Sequence, residues 1–320
     1  MRIRTHSILR FVALLISLLM ASYASGAEPV IRVGLFPNVT HAQALVAKNM
    51  SREGKGWFET RLGVKIDWYI FNAGPSAMES IFAKSLDVTY VGPSPAINAY
   101  ARSNGMEVRV LAGSMRGGAA LVVGEEVTDI AGLKGKILAT PQLGNTQDVE
   151  CRSWLMGQKF NVTLTGGDVR IIPTQNPDIL TLFQQKNIAG AWTVEPWVTR
   201  LLETKGAKIL HQDNETVTTI LVARAAYLAE NPELVKKFTA AHCELTEWIK
   251  ANPEEAQRRV RDELSAIMRR EMPAELIKQS WARLIPDASI SLAPFEKFQE
   301  RARQTGLLRI QANLSNLLAP

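Results

Sequence analysis

The stretch Pro141-Gln-Leu-Gly-Asn-Thr-Gln-Asp-Val-Glu-Cys-Arg-Ser-Trp-Leu155 joins a predicted strand to a predicted helix. The strand is the apolar run Lys136-Ile-Leu-Ala-Thr140, and the turn Gly144-Asn-Thr146 opens the helix. The first N–H groups of a helix have no partner within the helix, so this arrangement offers free donors to an anion. The stretch therefore predicts a site that holds a ligand.

The chain lacks the short motifs that carry most enzyme chemistry. It contains no Gly-x-Ser-x-Gly elbow, no His-Glu-x-x-His, no phosphate loop ending in Gly-Lys-Ser/Thr and no Gly-x-Gly-x-x-Gly after a strand. Triad members can lie far apart in sequence, so this observation lowers the expectation of an enzyme without excluding one. We expect a binding protein that uses no cofactor.

Strands and helices alternate along the chain. Predicted strands at 30–36, 64–71, 86–91 and 108–112 are separated by helical segments, and a second block of the same kind runs from about 119 to 216. The tail from Pro232 onward is mostly helical, with helix starts at Pro232, Pro253 and Pro273. This succession predicts an α/β fold in which each sheet is mainly parallel and flanked by helices.

The length of the chain predicts two lobes, because about 290 residues are many for a single core. We place residues 28–117 and 218–320 in lobe I and residues 118–217 in lobe II. No flexible linker separates them, so short crossings must join them. Gly117 and Gly118 would give one crossing the conformational freedom of a hinge. Arg116, beside them, could supply a counter-charge to a bound anion.

Residues 1–27 resemble a cleaved secretory signal. Arg2, Arg4 and Arg10 precede an apolar run over 11–20, and small residues lead to a predicted cut after Ala27. The apolar run is short for a membrane span of about 20 residues, although an uncleaved anchor is the alternative. The sequence thus predicts an exported protein.

Charge and cysteine content narrow the possible partners. The chain has 37 basic and 31 acidic residues, and three of the basic residues lie in 1–27, which leaves +3 for residues 28–320. The basic residues are scattered, so nucleic-acid binding is not expected. Cys151 and Cys243 either form a disulfide or remain separate thiols, and with four scattered histidines they form no metal-binding pattern.

The candidate ligand-binding residues follow the predicted strands. In open parallel sheets, ligands bind beyond the carboxyl ends of the strands. Most of these loops combine a helix start with a polar side chain. One such residue alone is usually only a helix cap, but together they predict a cradle for a small oxyanion. The candidates are Asn38, His41, Gly74, Pro75, Ser76, Ser94, Gly144, Asn145, Thr146, Glu195 and Trp197.

Three of these candidates have alternative interpretations. Glu195 would suit a ligand with an amine, could pair with an arginine, or could simply favour a helix start. Trp197 could stack on an apolar part of the ligand or pack in the core. His41 could donate to the ligand or be only a residue of the first helical turn.

The chain resembles the periplasmic solute-binding proteins of nitrate/sulfonate/taurine-type ABC importers. The resemblance covers nearly all of residues 28–320. It rests on the segments Gly34-Leu-Phe-Pro-Asn-Val-Thr-His-Ala-Gln-Ala44, Gly74-Pro-Ser76, Asp87-Val-Thr-Tyr-Val-Gly-Pro-Ser-Pro-Ala-Ile-Asn-Ala-Tyr100, Gly132-Leu-Lys-Gly-Lys136, Gly144-Asn-Thr-Gln-Asp148, Trp192-Thr-Val-Glu-Pro-Trp197 and Ala241-His-Cys-Glu-Leu-Thr-Glu-Trp248.

This resemblance implies a periplasmic-binding-protein fold, with a ligand cleft between two lobes joined by two crossings. It implies capture of a small solute by hinge closure and delivery to a membrane permease, and we expect a periplasmic monomer. It suggests ligand contacts from most of the candidates above. Cys151, Cys243 and the aromatic-poor segment 212–217 depart from the family pattern, which leaves the ligand open.

Other functions remain compatible with the resemblance. An enzyme similar to the thiamine-pyrimidine synthases would share the fold, but the chain has no cysteine-rich motif and carries a predicted secretory signal. A carrier of a pyrimidine precursor would rely on aromatic stacking at Trp197. A sensory module that presents a solute to a membrane receptor would show the same sequence features.

Overall fold

The computed structural model describes residues 29–320, which form two β-sheets flanked by helices. The strands of the first sheet are β1 Val30–Leu35, β2 Lys65–Ile70, β3 Val88–Val91, β4 Val108–Gly117, β10 Val217–Arg224 and β11 Leu284–Pro286. The strands of the second sheet are β5 Ala119–Val123, β6 Ile137–Thr140, β7 Arg170–Pro173, β8 Gly190–Val194 and β9 Lys208–Gln212.

Helices follow most of these strands, and a helical tail follows β10. The α-helices are α1 Ala42–Arg52, α2 Trp57–Leu62, α3 Gly74–Phe82, α4 Pro93–Arg102, α5 Thr146–Gly157, α6 Asn176–Gln184, α7 Trp197–Leu202, α8 Ala225–Glu230, α9 Pro232–Ala251, α10 Pro253–Met268, α11 Ala274–Trp281 and α12 Leu292–Gln304. Short 3₁₀ helices span Val39–His41, Ala131–Leu133 and Leu314–Asn316. The predicted starts at Pro232 and Pro253 are confirmed, and Pro273 caps α11.

Both sheets combine parallel and antiparallel pairs. In the first sheet, with order β11-β4-β10-β3-β1-β2, β1 pairs in parallel with β2 and β3, whereas β10 runs antiparallel to β3 and β4. In the second sheet, with order β7-β6-β8-β5-β9, β6 pairs in parallel with β7 and β8, whereas β5 runs antiparallel to β8 and β9. β11 also runs antiparallel to β4, so five of the nine strand pairs in residues 29–320 are antiparallel, and the sheets are less parallel than the sequence predicts.

Each sheet separates two layers of apolar packing. Along β10, Leu221 and Ala223 pack into one layer, while Ile220 and Val222 pack into the other. The same alternation occurs along β5, whose side chains divide between the two layers of the second sheet. Because side chains of a strand point alternately to opposite faces, a strand covered by helices on both sides is apolar throughout. We call the first sheet with its helices lobe I and the second lobe II.

Two short connections join the lobes. The first runs from β4 to β5 through Gly117 and Gly118, and the second runs from β9 to β10 through residues 213–216. Gly117 and Gly118 have φ angles of +70° and +72°. A Cβ on Gly117 would lie 2.5 Å from the Arg283 carbonyl oxygen, so this position requires glycine. We retain 28–117 with 218–320, and 118–217, as proposed lobe limits.

The predicted secretory signal over residues 1–27, with its cut after Ala27, lies outside the described residues. Within residues 29–320, no helix is long and apolar enough to cross a membrane. Cys151 and Cys243 are both free thiols, which answers the question that the sequence left open. The described part of the chain also holds no group of three or more His, Cys, Asp or Glu residues that could bind a metal ion.

We predict that Gly117→Ala lowers the free energy of unfolding by about 1–3 kcal/mol, because it forces a left-handed backbone on a residue with a Cβ and crowds a carbonyl oxygen. Gly135→Ala is the matched control, since Gly135 has a φ of +76° but nothing within 4 Å of the added Cβ. Urea denaturation of both variants tests this. Equal losses would show that the close approach at Gly117 costs nothing.

Candidate functional site

The carboxyl ends of strands from both sheets meet at one cavity between the lobes, as expected for α/β sheets. Its lining comprises Phe36, Asn38, Thr40, His41, Asn72, Ala73, Gly74, Gly92, Pro95, Pro141, Asn145, Thr146, Gln147, Asn176, Val194 and Thr218. The volume of this cavity is about 20 Å³, little more than one water molecule needs. An occupant of several heavy atoms therefore requires the lobes to stand further apart.

The start of α5 is held by a reciprocal pair of side-chain hydrogen bonds. The Asp148 N–H donates to Asn145 Oδ1 at 2.8 Å, and the Gly144 N–H donates to Asp148 Oδ2 at 2.9 Å. The buried Asp148 carboxylate also accepts from Arg152 Nε at 3.0 Å, so its charge is balanced inside lobe II. The helix terminus thus faces the cavity in a fixed position, and no charged side chain lines the cavity beside it.

Four of the five side-chain amides in the lining, all except that of Asn72, have their acceptor oxygens engaged. Asn38 Oδ1 accepts from Trp197 Nε1 at 3.1 Å, and an indole nitrogen can only donate. The Asn38 amide orientation is therefore fixed by chemistry, and its NH₂ group remains as a donor. Asn145 Nδ2 donates to Gln147 Oε1 at 3.2 Å. The NH₂ group of Gln147, like that of Asn38, therefore remains as a donor.

His41 adds a further neutral donor to the lining. Its Nδ1 accepts from the Phe36 N–H at 3.3 Å, so the neutral ring carries its proton on Nε2. Complete burial lowers the pKa of His41 to about 3, which keeps the ring uncharged at neutral pH. Together with the amides, this makes the cavity donor-rich, although no residue in its lining is charged at neutral pH.

Direct hydrogen bonds hold the two lobes together around the cavity. The Ser94 N–H donates to Thr146 Oγ1 at 3.3 Å, and the Val39 N–H donates to the Glu195 carbonyl oxygen at 2.9 Å. In each pair, one partner belongs to lobe I and the other to lobe II. The structure is therefore a closed arrangement of the two lobes.

Glu195 forms part of this closure through its side chain. Its Oε1 accepts from Arg283 Nη1 at 2.9 Å across the lobes, and Oε2 accepts from the Thr199 N–H at 3.1 Å. Glu195 is fully buried, and burial raises its pKa despite the opposing effect of Arg283. Of the alternatives for Glu195, the structure shows the arginine pair, and the carboxylate does not line the cavity.

The other candidates from the sequence line the cavity, line a groove next to it, or line neither. Those that line the cavity are Asn38, His41, Gly74, Asn145 and Thr146. Pro75 and Gly144 instead line an adjoining groove, and Ser76 Oγ donates to the Ala73 carbonyl oxygen at 2.8 Å. Their role in ligand contact remains a proposal.

Three further residues do not line the cavity, namely Ser94, Trp197 and Arg116. The Ser94 hydroxyl is buried and has no hydrogen-bond partner within the described chain. Trp197 binds Asn38, as described above, and its ring is buried. Arg116, considered as a counter-charge, forms ion pairs with Glu215 and Asp287 at the crossing.

Thr218 lines the cavity but was not among the candidates from the sequence. It lies in β10, just after the second crossing, and its hydroxyl donates to the Gly117 carbonyl oxygen at 2.8 Å. No loop motif marks this position in the sequence. Thr218 belongs to a strand, and it lies at the cavity because the crossing places the start of β10 there. Three other lining residues could have been found from the sequence, because each follows the end of a strand. They are Asn72, Gln147 and Asn176.

Two α/β lobes that meet at an interlobe cavity form the periplasmic-binding-protein fold, and the fold comparison agrees. The alkanesulfonate-binding protein SsuA from Xanthomonas axonopodis pv. citri, solved with bound MOPS, superposes with a TM-score of 0.73 at 17% identity. The match covers 91% of this chain and 98% of that chain. The predicted two-lobed fold is confirmed.

The chain belongs to the NMT1-like family, whose model matches residues 25–262. It is 28% identical over 204 residues to the taurine-binding periplasmic protein of Escherichia coli K12, covering 62% of this chain and 61% of that protein's length. It is 28% identical over 237 residues to a putative aliphatic sulfonates-binding protein of Bacillus subtilis 168, covering 71% and 67%. The family resemblance inferred from the sequence is confirmed.

We predict that Arg283→Ala lowers the free energy of unfolding by about 3 kcal/mol, because it leaves the buried Glu195 carboxylate without its counter-charge. Glu195→Gln keeps the size and most hydrogen bonds of the side chain and should cost less. Urea denaturation compares the two. If Glu195→Gln instead abolished solute binding at unchanged stability, the carboxylate would be a ligand contact.

We also predict that His41 and His242 each lower stability as the pH drops below about 6.5, in opposition to Glu150, whose raised pKa acts in the other direction. Burial lowers the pKa of His41 to about 3 and that of His242 to about 4, from the usual 6.5. The unfolded chain therefore binds protons that the folded chain excludes, at about 1.4 kcal/mol per pH unit for each histidine. Unfolding of His41→Gln between pH 4.5 and 6.5 should show a slope smaller by one proton. An unchanged slope would contradict the burial of a neutral ring.

Proposed function

We propose that this protein is the exported solute-binding component of an ABC import system, which captures a small oxyanionic organic solute resembling an aliphatic sulfonate or taurine. In this proposal it acts as a periplasmic monomer, performs no catalysis and passes its ligand to a permease in the inner membrane. The observation that carries the proposal is the cavity lined by neutral donors at the N-termini of helices of both lobes.

The polarity of the cavity favours an anion. The acceptor atoms of Asn38, Asn145 and His41 are occupied by protein donors, so the groups left over are N–H donors. Helix N-termini add partial positive charge at the same place. Donors in a low-dielectric cleft stabilise an anion strongly and need no full counter-charge. A cation would find few acceptors here.

A groove beside the cavity favours an organic rather than an inorganic anion. Its lining is partly apolar and also contains Glu79, Asn98 and Arg102. The groove shares Pro95 with the cavity and is lined by Met78, Phe82 and Leu307 of lobe I and by Leu143 of lobe II. The volume of this groove is about 240 Å³. A sulfonate group in the cavity would allow an alkyl chain to lie along these side chains and leave water.

The cavity lining holds no carboxylate, and Glu79 in the adjoining groove is paired with Arg102 at 3.2 Å. Both facts bear on the choice between taurine and simple alkanesulfonates. Glu195, the nearest candidate for holding an amine, is engaged by Arg283 and Thr199. We therefore expect a plain alkanesulfonate to bind at least as tightly as taurine. Stacking of a pyrimidine is less favoured, because the Trp197 ring lies outside the lining and binds Asn38.

A hinge mechanism follows from the small closed cavity and from the two short crossings, one of which contains Gly117 and Gly118. The solute enters when the lobes separate, and binding first occupies donors of one lobe. Closure around the solute, with the lobes further apart than in this structure, then brings the donors of the other lobe onto it. Water is excluded, which strengthens each hydrogen bond. The closed form presents a surface from both lobes that a permease can distinguish from the open form.

A thermal-shift screen of residues 28–320 tests the proposed function. The panel holds alkanesulfonates, taurine, nitrate, sulfate, bicarbonate and thiamine-pathway pyrimidines. A ligand at a hundred times its Kd adds about 2.7 kcal/mol, which raises the Tm by roughly 5 °C or more. A sulfonate response supports the proposal. A response to pyrimidines alone would refute the oxyanion site.

We predict that Asn38→Asp weakens sulfonate binding by about ten- to a hundredfold, because it replaces a donor to the anion with a negative charge. The aspartate still accepts from Trp197 Nε1, so the lobe contact is retained. Asn187→Asp, at an exposed position, introduces the same charge away from the cavity and serves as the control. Titration calorimetry measures both, and equal affinities would remove Asn38 from the ligand site.

A further inference from the structure

A second cavity lies between lobe II and the C-terminal helix α12 of lobe I. Its volume is about 230 Å³, and α5, β8, β9 and the second crossing provide most of its walls. Arg301 of α12 closes it from the lobe I side. Among the described residues, its lining and that of the proposed solute cleft have none in common. The cavity is therefore a separate place in the fold.

Aromatic rings form one wall of this cavity. Trp154 stacks on His211 with 5.0 Å between ring centroids, and Trp192 lies 5.4 Å from His211 and 6.0 Å from Trp154. Burial lowers the pKa of His211, so this ring is neutral at pH 7. The wall is thus a rigid, uncharged surface against which the apolar part of a small molecule can pack.

The same wall contains a buried donor without a partner. Trp192 is 4% exposed, and its Nε1 makes no hydrogen bond within the described chain. An indole N–H can only donate, and a buried donor that lacks an acceptor costs free energy. An occupant with an acceptor atom would satisfy it. A purely cationic ligand would leave it unsatisfied.

The lining also carries charges of both signs. Arg301 Nη1 donates to Glu150 Oε1 at 3.3 Å across the lobes. Burial raises the pKa of Glu150 to about 8 despite the opposing charge of Arg301, so this carboxyl is mostly protonated at pH 7. Burial also acts to raise the pKa of Asp213, but hydrogen bonds from the Glu215 N–H and the Thr216 hydroxyl outweigh it and keep Asp213 ionised. The cavity therefore combines one cation with one anion.

We propose that this cavity is a second binding site, which takes a small zwitterion of the amino-carboxylic acid class. The carboxylate would accept from Trp192 Nε1–H and from unused N–H groups of Arg301, while the ammonium group would lie at Asp213. The carbon chain would pack on Trp154. A simple anion would leave Asp213 facing it unpaired, whereas the zwitterion satisfies the donor and both charges.

Occupation of this site would favour the closed arrangement of the lobes. Arg301 belongs to lobe I, and the other groups that contact the ligand belong to lobe II. A ligand that bridges them binds the closed form better than the open form and shifts the population toward it. By linkage, the zwitterion and the cleft solute then strengthen each other's binding.

Titration calorimetry of residues 28–320 tests the proposal with glycine, β-alanine and 4-aminobutyrate, which separate the two charges by different lengths. Propionate and propylammonium are the comparison ligands with one charge each. We expect saturable binding of at least one amino acid, with both comparison ligands about tenfold weaker or more. Absence of saturation at tens of millimolar, or equal binding of a comparison ligand, would overturn the proposal.

Variants locate the site. Trp192→Phe removes the unpartnered N–H and should weaken amino-acid binding about tenfold, while alkanesulfonate binding in the cleft persists. Trp281→Phe is the matched control, since it makes the same change in the lobe I core, away from this cavity. Arg301→Gln provides a second test on a partly exposed side chain, in case Trp192→Phe does not fold. Unchanged amino-acid affinity in both Trp192→Phe and Arg301→Gln would overturn the proposed site. If only Asn38→Asp lost amino-acid binding, the amino acid would bind in the solute cleft instead.

Discussion

The hydrogen bond from the Trp197 indole to Asn38 connects the shape of the cleft with its chemistry. It joins lobe II to lobe I at 3.1 Å, and it fixes the Asn38 amide so that its NH₂ group is left for a ligand. The same principle recurs at Asn145 and His41, where protein donors occupy the acceptor atoms. A cavity without a charged side chain thereby becomes a cavity of donors, and the polarity of the site depends on contacts that also close it.

Full charges in this protein lie around the cleft and hold its walls. Arg152 balances Asp148 under the start of α5, and Arg283 balances Glu195 at the contact between the lobes. Both carboxylates are fully buried, so removing either partner would leave an uncompensated charge in a low-dielectric interior. These pairs set the positions of loops, while dipoles and neutral N–H groups are left to face the solute. Such a site can release its ligand more readily than one built on a direct ion pair.

The sequence located the cleft because helix starts with polar residues recur after successive strands. Asn38, His41, Gly74, Asn145 and Thr146 line the cavity, as the position of strand ends predicts. Glu195 follows the same pattern, yet its side chain turns to Arg283, which lies 88 residues further along the chain. A local pattern cannot show which distant residue will compete for a side chain. The same limit applies to Thr218 and to the cavity closed by Arg301, whose residues are brought together only by the crossings and by α12.

The sequence by itself determined the alternation of strands and helices, the family and the loops that reach the cleft, because these depend on local periodicity and on helix-start chemistry. The tertiary structure decided which strands run antiparallel, which candidates face the cavity, and which amide and imidazole atoms remain as donors. Those outcomes depend on pairing between residues far apart in sequence. Hydrogen bonding and charge pairing at such distances follow from how the lobes pack, and no window of sequence contains both partners.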